Sequence, residues 1–289
     1  MIDYSLFWCA NKDVYPPFKN GFYIEEYFLD KYKTHFPKTN RTYIPFLWTN
    51  FQIEHWFSSK KKEMQEQLNK WLERNHNENG YFTIVQYDDG CLLDLPKNTV
   101  IYGCCSGNVP IPLIYEDRNR NLLSKKIEKT YEQKQILCSF VGALTHSLRN
   151  NMVDFLKNDS DFVFVSDSMW TPNVDIDKQN KFVKTTCNSK FVLCPRGYGR
   201  NSFRFYEVML LGCIPIYVWD DIEWLPFKDE INYENFCISI NIKDIANLKG
   251  IISKIDNDKY NEMISEYNKI KHLFTLDGFY DYVISSEKF

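Results

Sequence analysis

The chain has 289 residues, 44% of them apolar and 25% charged, and 35 Lys and Arg against 38 Asp and Glu leave a net charge of −3. That length supports one large α/β domain or two of about 140 residues, and the composition excludes a disordered or fibrous chain. No basic block stands out, so a broad nucleic-acid footprint is excluded and any anion has to be held by local arginines.

The first residues, MIDYSLFWCANKD, lack a basic leader and carry Asp3, and no apolar run reaches the length of a membrane span. The expectation is a chain with no signal peptide and no transmembrane segment, acting in the cytoplasm. Nine cysteines without a paired CxxC pattern point to reduced thiols rather than a zinc site or a disulfide framework.

In chain order, residues 21–32 space Tyr23, Tyr27 and Phe28 as a helix, and Tyr43 to Trp48, YIPFLW, reads as a strand leading to Asn50. Ser58 or Ser59 would cap a helix to about Arg74, whose Met64, Leu68, Trp71 and Leu72 form one apolar stripe. Strands follow at 81–86 and 100–103, the first ending in Tyr87, Asp88, Asp89 and Gly90. Residues 117–133 are polar, read as helical and make a natural linker. The pattern then restarts: a strand over 136–141, a turn at Gly142 and a helix capped by Thr145 with Leu148, Met152, Phe155 and Leu156 on its apolar line. A strand at 162–165 and a helix over 177–186 lead to the central stretch. Beyond it come a strand at 236–240 and helices over 242–255 and 256–273. These patterns divide the chain into domains of 1–120 and 121–274, with a tail from about 275 to 289 that would pack back on the first.

The most informative stretch is Phe191 to Asp221, FVLCPRGYGRNSFRFYEVMLLGCIPIYVWDD. A buried apolar strand is stopped by Pro195, Gly197 and Gly199; Asn201 or Ser202 then caps a helix that Gly212 ends, and a second apolar strand runs from Ile214 to Trp219. Open parallel sheets bind ligands at the carboxyl ends of their strands, where helix N-termini point N–H groups at anions. Arg196, Arg200 and Arg204 crowd that loop, each able to fork onto phosphate oxygens. Arg204 and Glu207 share one helix face. A diphosphate beside a ribose needs both. The spacing is neither a Walker loop nor a GxGxxG fingerprint. Solvation of Arg200 and pairing of Glu207 with Arg204 explain the same residues without a ligand.

CPRGYGxxSFRxxE followed by GCIPI closely resembles the exostosin-like, family 47 glycosyltransferases in the half that holds their sugar nucleotide. SFVGALTHSLR resembles the same family at the first strand and helix of its donor domain, and YIPFLWTNFQ and QYDDG resemble the N-terminal half of bacterial and viral members. The resemblance implies a GT-B fold, two Rossmann-like α/β domains facing each other across a cleft. It also implies inverting transfer from a nucleoside diphosphate sugar, a UDP-sugar for preference, to a glycan hydroxyl, with no obligatory cofactor or metal. Carried over by position, Gly142, His146, Arg149, Pro195, Arg196, Tyr198, Ser202, Arg204 and Glu207 become donor-site residues, with Arg149 and Arg204 on the phosphates and Glu207 on the ribose. Trp48 and Asn50 fall on the acceptor side. Animal and plant relatives carry an N-terminal membrane anchor; none is expected here, and the expectation is a soluble bacterial or virus-encoded form.

Such a transfer needs charge stabilisation on the leaving oxygens and a base for the acceptor hydroxyl. Asp88 and Asp89, at a strand end, are the base candidates, although a DDG turn explains them equally well; His55, beside Glu54, is a further candidate. The DxD triplets Asp159 to Asp161 and Asp175 to Asp177 are not presented after strands, so no metal ligands are expected. Two rivals remain: a transferase-like protein that binds glycan or nucleotide without turnover, and a sugar-nucleotide hydrolase. The sugar, acceptor, linkage and oligomeric state stay open.

Overall fold

The structure, a computed structural model, describes residues 21–117, 121–167 and 174–288. They divide into two compact units, one drawn from Met1–Asn119 with Leu273–Phe289 and one from Arg120–His272. Each is built on its own parallel sheet.

The first unit runs α1 (Ile24–His35), β1 (Thr42–Tyr43), α2 (Trp48–Gln52), α3 (Phe57–Arg74), β2 (Tyr81–Val85), β3 (Thr99–Gly103) and β4 (Val109–Pro110), with strand order β1-β2-β3-β4. β2 is buried on both faces, as its YFTIV run requires of an inner parallel strand. The α3 stripe of Met64, Leu68, Trp71 and Leu72 packs beneath it with Ile44, Phe46 and Trp48. Each such side chain contributes about 1.5–3 kcal/mol on burial.

The expected strand over Tyr43 to Trp48 is cut short. Ile44 N–H still reaches Phe82 O at 2.8 Å, but Pro45 has no N–H to give the ladder, and the chain turns into α2 at Trp48. α3 begins at Phe57 rather than after a serine cap.

Glu25, buried at the start of α1, ties three elements together at the carboxyl edge of this sheet. It accepts from Thr49 N–H (3.0 Å) and Thr49 Oγ1 (2.8 Å) on α2, and from Gln86 N–H (2.6 Å) just past β2. Burial pushes its carboxyl up to about 7 against the pull of those donors. The neighbouring Glu26 has both oxygens buried without a side-chain partner among the described residues. Burial, reinforced by the Glu25 charge, drives it well above the usual carboxylate range.

The second unit runs α4 (Leu122–Lys125), β5 (Ile136–Ala143), α5 (Ser147–Leu156), β6 (Phe162–Asp167), α6 (Ile176–Cys187), β7 (Ser189–Pro195), α7 (Phe203–Leu210), β8 (Ile214–Trp219), β9 (Ile238–Asn241), α8 (Leu248–Ile252) and α9 (Asn257–Ile270). Its strand order, β6-β5-β7-β8-β9, is doubly wound, with the switch point between β5 and β7. Phe140, Phe191, Leu193, Ile216 and Val218 are fully buried between the helical layers. Gly212 closes α7 at φ +75°: its N–H bonds Met209 O and the Cys213 N–H bonds Val208 O, the paired bonds of a Schellman stop. A last helix, α10 (Leu276–Ser286), belongs to the first unit, where buried Glu287 accepts from Tyr102 Oη (2.8 Å) and Arg41 Nη1 (3.3 Å). Two Rossmann-like α/β units in one chain make the architecture of the GT-B class.

Within the expected linker helix only Leu122–Lys125 is α-helical among the described residues, because Leu122 finds a core while Leu123 and Ile127 stay exposed. The first part of the expected 242–255 helix is a 3-10 turn, Ile242–Asn247. No helix among the described residues is long and apolar enough to cross a membrane.

Since Glu25 and Glu26 titrate higher in the folded chain than in the unfolded one, stability is full below the ordinary glutamate range and falls as pH rises through the raised values. Glu26→Gln removes one of the two ionisations. It is expected to leave the Tm unchanged near pH 4 and to raise it at pH 8, by about 2–4 °C for each ~1 kcal/mol regained. Thermal unfolding across pH reads this directly, and parallel curves for the two proteins would contradict it.

Candidate functional site

A cavity of about 310 Å³ opens at the carboxyl ends of β5 and β6, beside the switch point, and takes its walls from four helices. Gly142 and Ala143 come from β5, Arg149 from α5, Lys178, Lys181 and Phe182 from α6, and Ser202, Arg204 and Glu207 from the start of α7; Leu122 of α4 closes one side. That size suits a small organic ligand.

Arg204 is the fixed cation of this cavity. Its guanidinium carbon lies 5.0 Å from the Phe140 ring centroid and 6.0 Å from that of Phe182. Rings on a cation attract it through their quadrupoles and restrict its rotamers. The guanidinium also fills the space where a Cβ on Gly142 would stand, so a side chain there would collide with it. Ser202 caps α7 by accepting from Arg204 N–H at 3.4 Å, which aims the first turn of the helix at the same space.

The remaining arginines hold protein groups. Arg149, expected on the phosphates, lines the cavity, and its buried guanidinium donates to Arg196 O (2.8 Å), Ala143 O (2.7 Å) and Pro195 O (3.5 Å), with Thr145 Oγ1 at 3.4 Å. It ties the end of β5 to the end of β7. Arg196 donates through Nη1 to Asp220 Oδ1 (2.7 Å) and Asp221 Oδ1 (3.0 Å) and through Nη2 to Tyr198 O (2.8 Å), while its Nε is buried without a hydrogen-bond partner among the described residues. Arg200 Nε reaches Asp221 Oδ2 at 2.8 Å. Burial alone would raise the Asp221 carboxyl, but the Ile222 N–H and the Arg200 and Arg196 cations outweigh it and hold it low. Asp220 and Asp221 therefore brace the glycine loop. Pro195 supplies a carbonyl and Tyr198 is exposed, so both, with Arg196, stand outside the cavity wall.

His146, rather than the expected Thr145, caps α5, its Nδ1 accepting from Leu148 N–H at 3.2 Å. Partial burial, then the charge of Arg196, pushes its pKa below the ordinary value despite Asp220. With Nδ1 accepting from the main chain, a neutral imidazole carries its proton on Nε2.

In the first unit the expected acceptor-side residues are inside the protein. Trp48 is fully buried with Nε1 bonded to Thr83 Oγ1 at 2.8 Å, and Asn50 is also buried. Trp48 belongs to the apolar core of the first unit. Asp88 and Asp89 sit on a turn closed by Gly90 N–H to Tyr87 O at 3.0 Å, half-buried and exposed respectively. His55 points into solvent, 3.9 Å from Glu54. Among the DxD aspartates, Asp159 and Asp161 are each 2.7 Å from Lys249, and Asp175 caps α6. Among the described residues no three His, Cys, Asp or Glu side chains gather as metal ligands.

Lys178, Lys181 and Phe182 were not anticipated from the sequence. The apolar spacing of α6 marked a helix, but only the strand order brings its outer face over the end of β5.

Gly142→Ala has to displace the Arg204 guanidinium. Binding of inorganic pyrophosphate, read by thermal shift, is expected to weaken roughly tenfold, about 1.4 kcal/mol. Phe182→Ala removes a ring without inserting an atom, and should weaken it in the same direction. Unchanged protection by pyrophosphate in both folded variants would contradict the role given to this contact.

Residues 102–255, more than half of the chain, match the exostosin GT47 domain. An exostosin-1 homolog of Caenorhabditis elegans is 26% identical over 222 residues, covering 66% of this chain and 57% of that one. A probable glycosyltransferase of Arabidopsis thaliana is 33% identical over 90 residues, 31% of this chain and 19% of that one. A probable beta-1,4-xylosyltransferase of the same plant is 40% identical over 65 residues, 22% and 15%. The chain thus spans about a fifth or less of these two plant relatives and just over half of the nematode one. A crystal structure of an alpha1,3-fucosyltransferase aligns with a TM-score of 0.36 at 15% identity, over 73% of this chain and 79% of that one. The stretch matched by the family includes every wall of the cavity, and the chain belongs to the exostosin GT47 family of glycosyltransferases.

Proposed function

We propose that the protein transfers a sugar from a nucleoside diphosphate sugar, a UDP-sugar, to a hydroxyl of a glycan, with inversion and without an obligatory metal ion or cofactor. The observation that carries this reading is the fixed Arg204 cation set beside Glu207 at the start of α7, in a cavity with more positive than negative side chains. The guanidinium holds the diphosphate, and Glu207 accepts from the ribose hydroxyls. Ser202 and the α7 N-terminus add N–H groups for the same phosphates.

In the reaction the acceptor oxygen attacks the anomeric carbon, the bond from that carbon to the diphosphate oxygen breaks, and the electron pair leaves with the nucleotide. Asp88 or Asp89 takes the acceptor proton.

Thermal shift against a panel of nucleoside diphosphate sugars tests the donor. A UDP-sugar is expected to stabilise most, and Arg204→Ala to abolish the shift, a loss of roughly 2–3 kcal/mol of binding. Equal shifts across nucleotides, or a shift that survives Arg204→Ala, would sink the assignment. Asp88→Asn with Asp89→Asn separates enzyme from binding protein: transfer should fall about a hundredfold or more with donor binding intact.

A further inference from the structure

The turn that carries Asp88 and Asp89 is held by more groups than a turn needs. DDG forms a turn by itself, and the Gly90 N–H to Tyr87 O bond already closes it. Two buried side chains are nevertheless spent on its ends. Glu25 of α1 accepts from Gln86 N–H at 2.6 Å. Gln52, buried at the end of α2, donates through Nε2 to Gly90 O (2.8 Å) and accepts through Oε1 from Leu92 N–H (2.6 Å). Main-chain groups on both sides of the two aspartates are thereby fixed.

The two clamps share one foundation. Thr49, one turn before Gln52 on α2, gives its N–H and its hydroxyl to Glu25, and Trp48 pins the same helix to β2 through Nε1 on Thr83 Oγ1 at 2.8 Å. Gly90, at φ +78°, lies against the turn after β3, where a Cβ on it would meet Ser106 Oγ at 2.5 Å. Within the clamped segment Asp88 is half-buried, and its charge reaches the buried Cys104 thiol; Asp89 is exposed.

We infer that Gln52 and Glu25 are positioning residues for the carboxylate that takes the acceptor proton, and that this carboxylate is Asp88. The inference rests on the reading of this turn as the source of the base. A general base works at hydrogen-bond distance from the proton it removes, and a misplacement of about 1 Å costs on the order of a hundredfold in rate. A surface turn closed by one hydrogen bond opens readily, whereas one tied to two helices through buried polar groups does not. Desolvating Gln52 and Glu25 is costly, and their paired donors and acceptors turn that cost into a stiff support.

The test measures UDP release from the UDP-sugar that stabilises the wild type most, with water and with a panel of neutral and acidic oligosaccharides as acceptors. Gln52→Met removes both hydrogen bonds at nearly constant volume. It is expected to lower kcat about ten- to a hundredfold, while donor KM and the thermal shift by UDP stay within about twofold. Gly90→Ala, which pushes the turn off Ser106, should act in the same direction. Leu72→Ala, in the α3 core, destabilises the same unit without touching the turn and should keep kcat within about twofold. On an Asp88→Asn background Gln52→Met should cost nothing further, because it acts through that carboxylate, whereas on Asp89→Asn its full cost should remain. A further loss on Asp88→Asn would make Gln52 a structural residue and overturn the inference, as would an unchanged kcat in Gln52→Met or an equal fall in Leu72→Ala. A cost that vanishes on Asp89→Asn instead would overturn the choice of Asp88. Failure of the underlying reading has a different signature: Asp88→Asn with Asp89→Asn would turn over as fast as the wild type.

Discussion

The Arg204 guanidinium lies between the rings of Phe140 and Phe182 and against the bare backbone of Gly142, and much of the second unit serves to keep it there. Phe140 is fully buried in β5, Phe182 belongs to α6, and Arg204 opens α7. Three elements on both sides of the switch point therefore fix one cation. Such a group needs no rearrangement when an anion arrives, which is the condition under which electrostatic stabilisation is most effective.

The positive residues of the site divide into scaffold and ligand groups according to what holds them. Arg149 ties the ends of β5 and β7 through main-chain carbonyls, and Arg196 and Arg200 are drawn to Asp220 and Asp221 at the end of β8. Those contacts shape the glycine loop. Buried carbonyls without donors would be costly, so a guanidinium that satisfies several of them at once is a positioning device. Arg204 and the two lysines of α6 line the cavity together with Arg149. The first unit has its own constraint: the Glu25 carboxylate gathers the start of α2 and the turn after β2, which carries Asp88 and Asp89.

The sequence carried the strand, loop, helix and strand of the second unit plainly, because Pro195, Gly197 and Gly212 punctuate it and its strands are continuous apolar runs. Arg204, Glu207, Ser202 and Gly142 were legible for the same reason: motif and cavity coincide there. Trp48 was misplaced because Pro45 interrupts a run whose composition alone reads as strand. Phe155 was counted as core from its spacing and is exposed, while Arg149, six residues earlier, is buried. Spacing reports a helix face but not which polar side chain finds carbonyls to satisfy it. Lys178, Lys181 and Glu25 gave no local signal, since their neighbours are set by strand order and by contacts 24 to 61 residues apart in the chain.

The most direct test of the central claim is a crystal structure with UDP bound. The diphosphate is expected in the cavity at the ends of β5 and β6, with its oxygens within hydrogen-bond reach of the Arg204 guanidinium and the first turn of α7. A nucleotide bound away from Arg204, or an Arg204 side chain swung out from between Phe140 and Phe182, would contradict it.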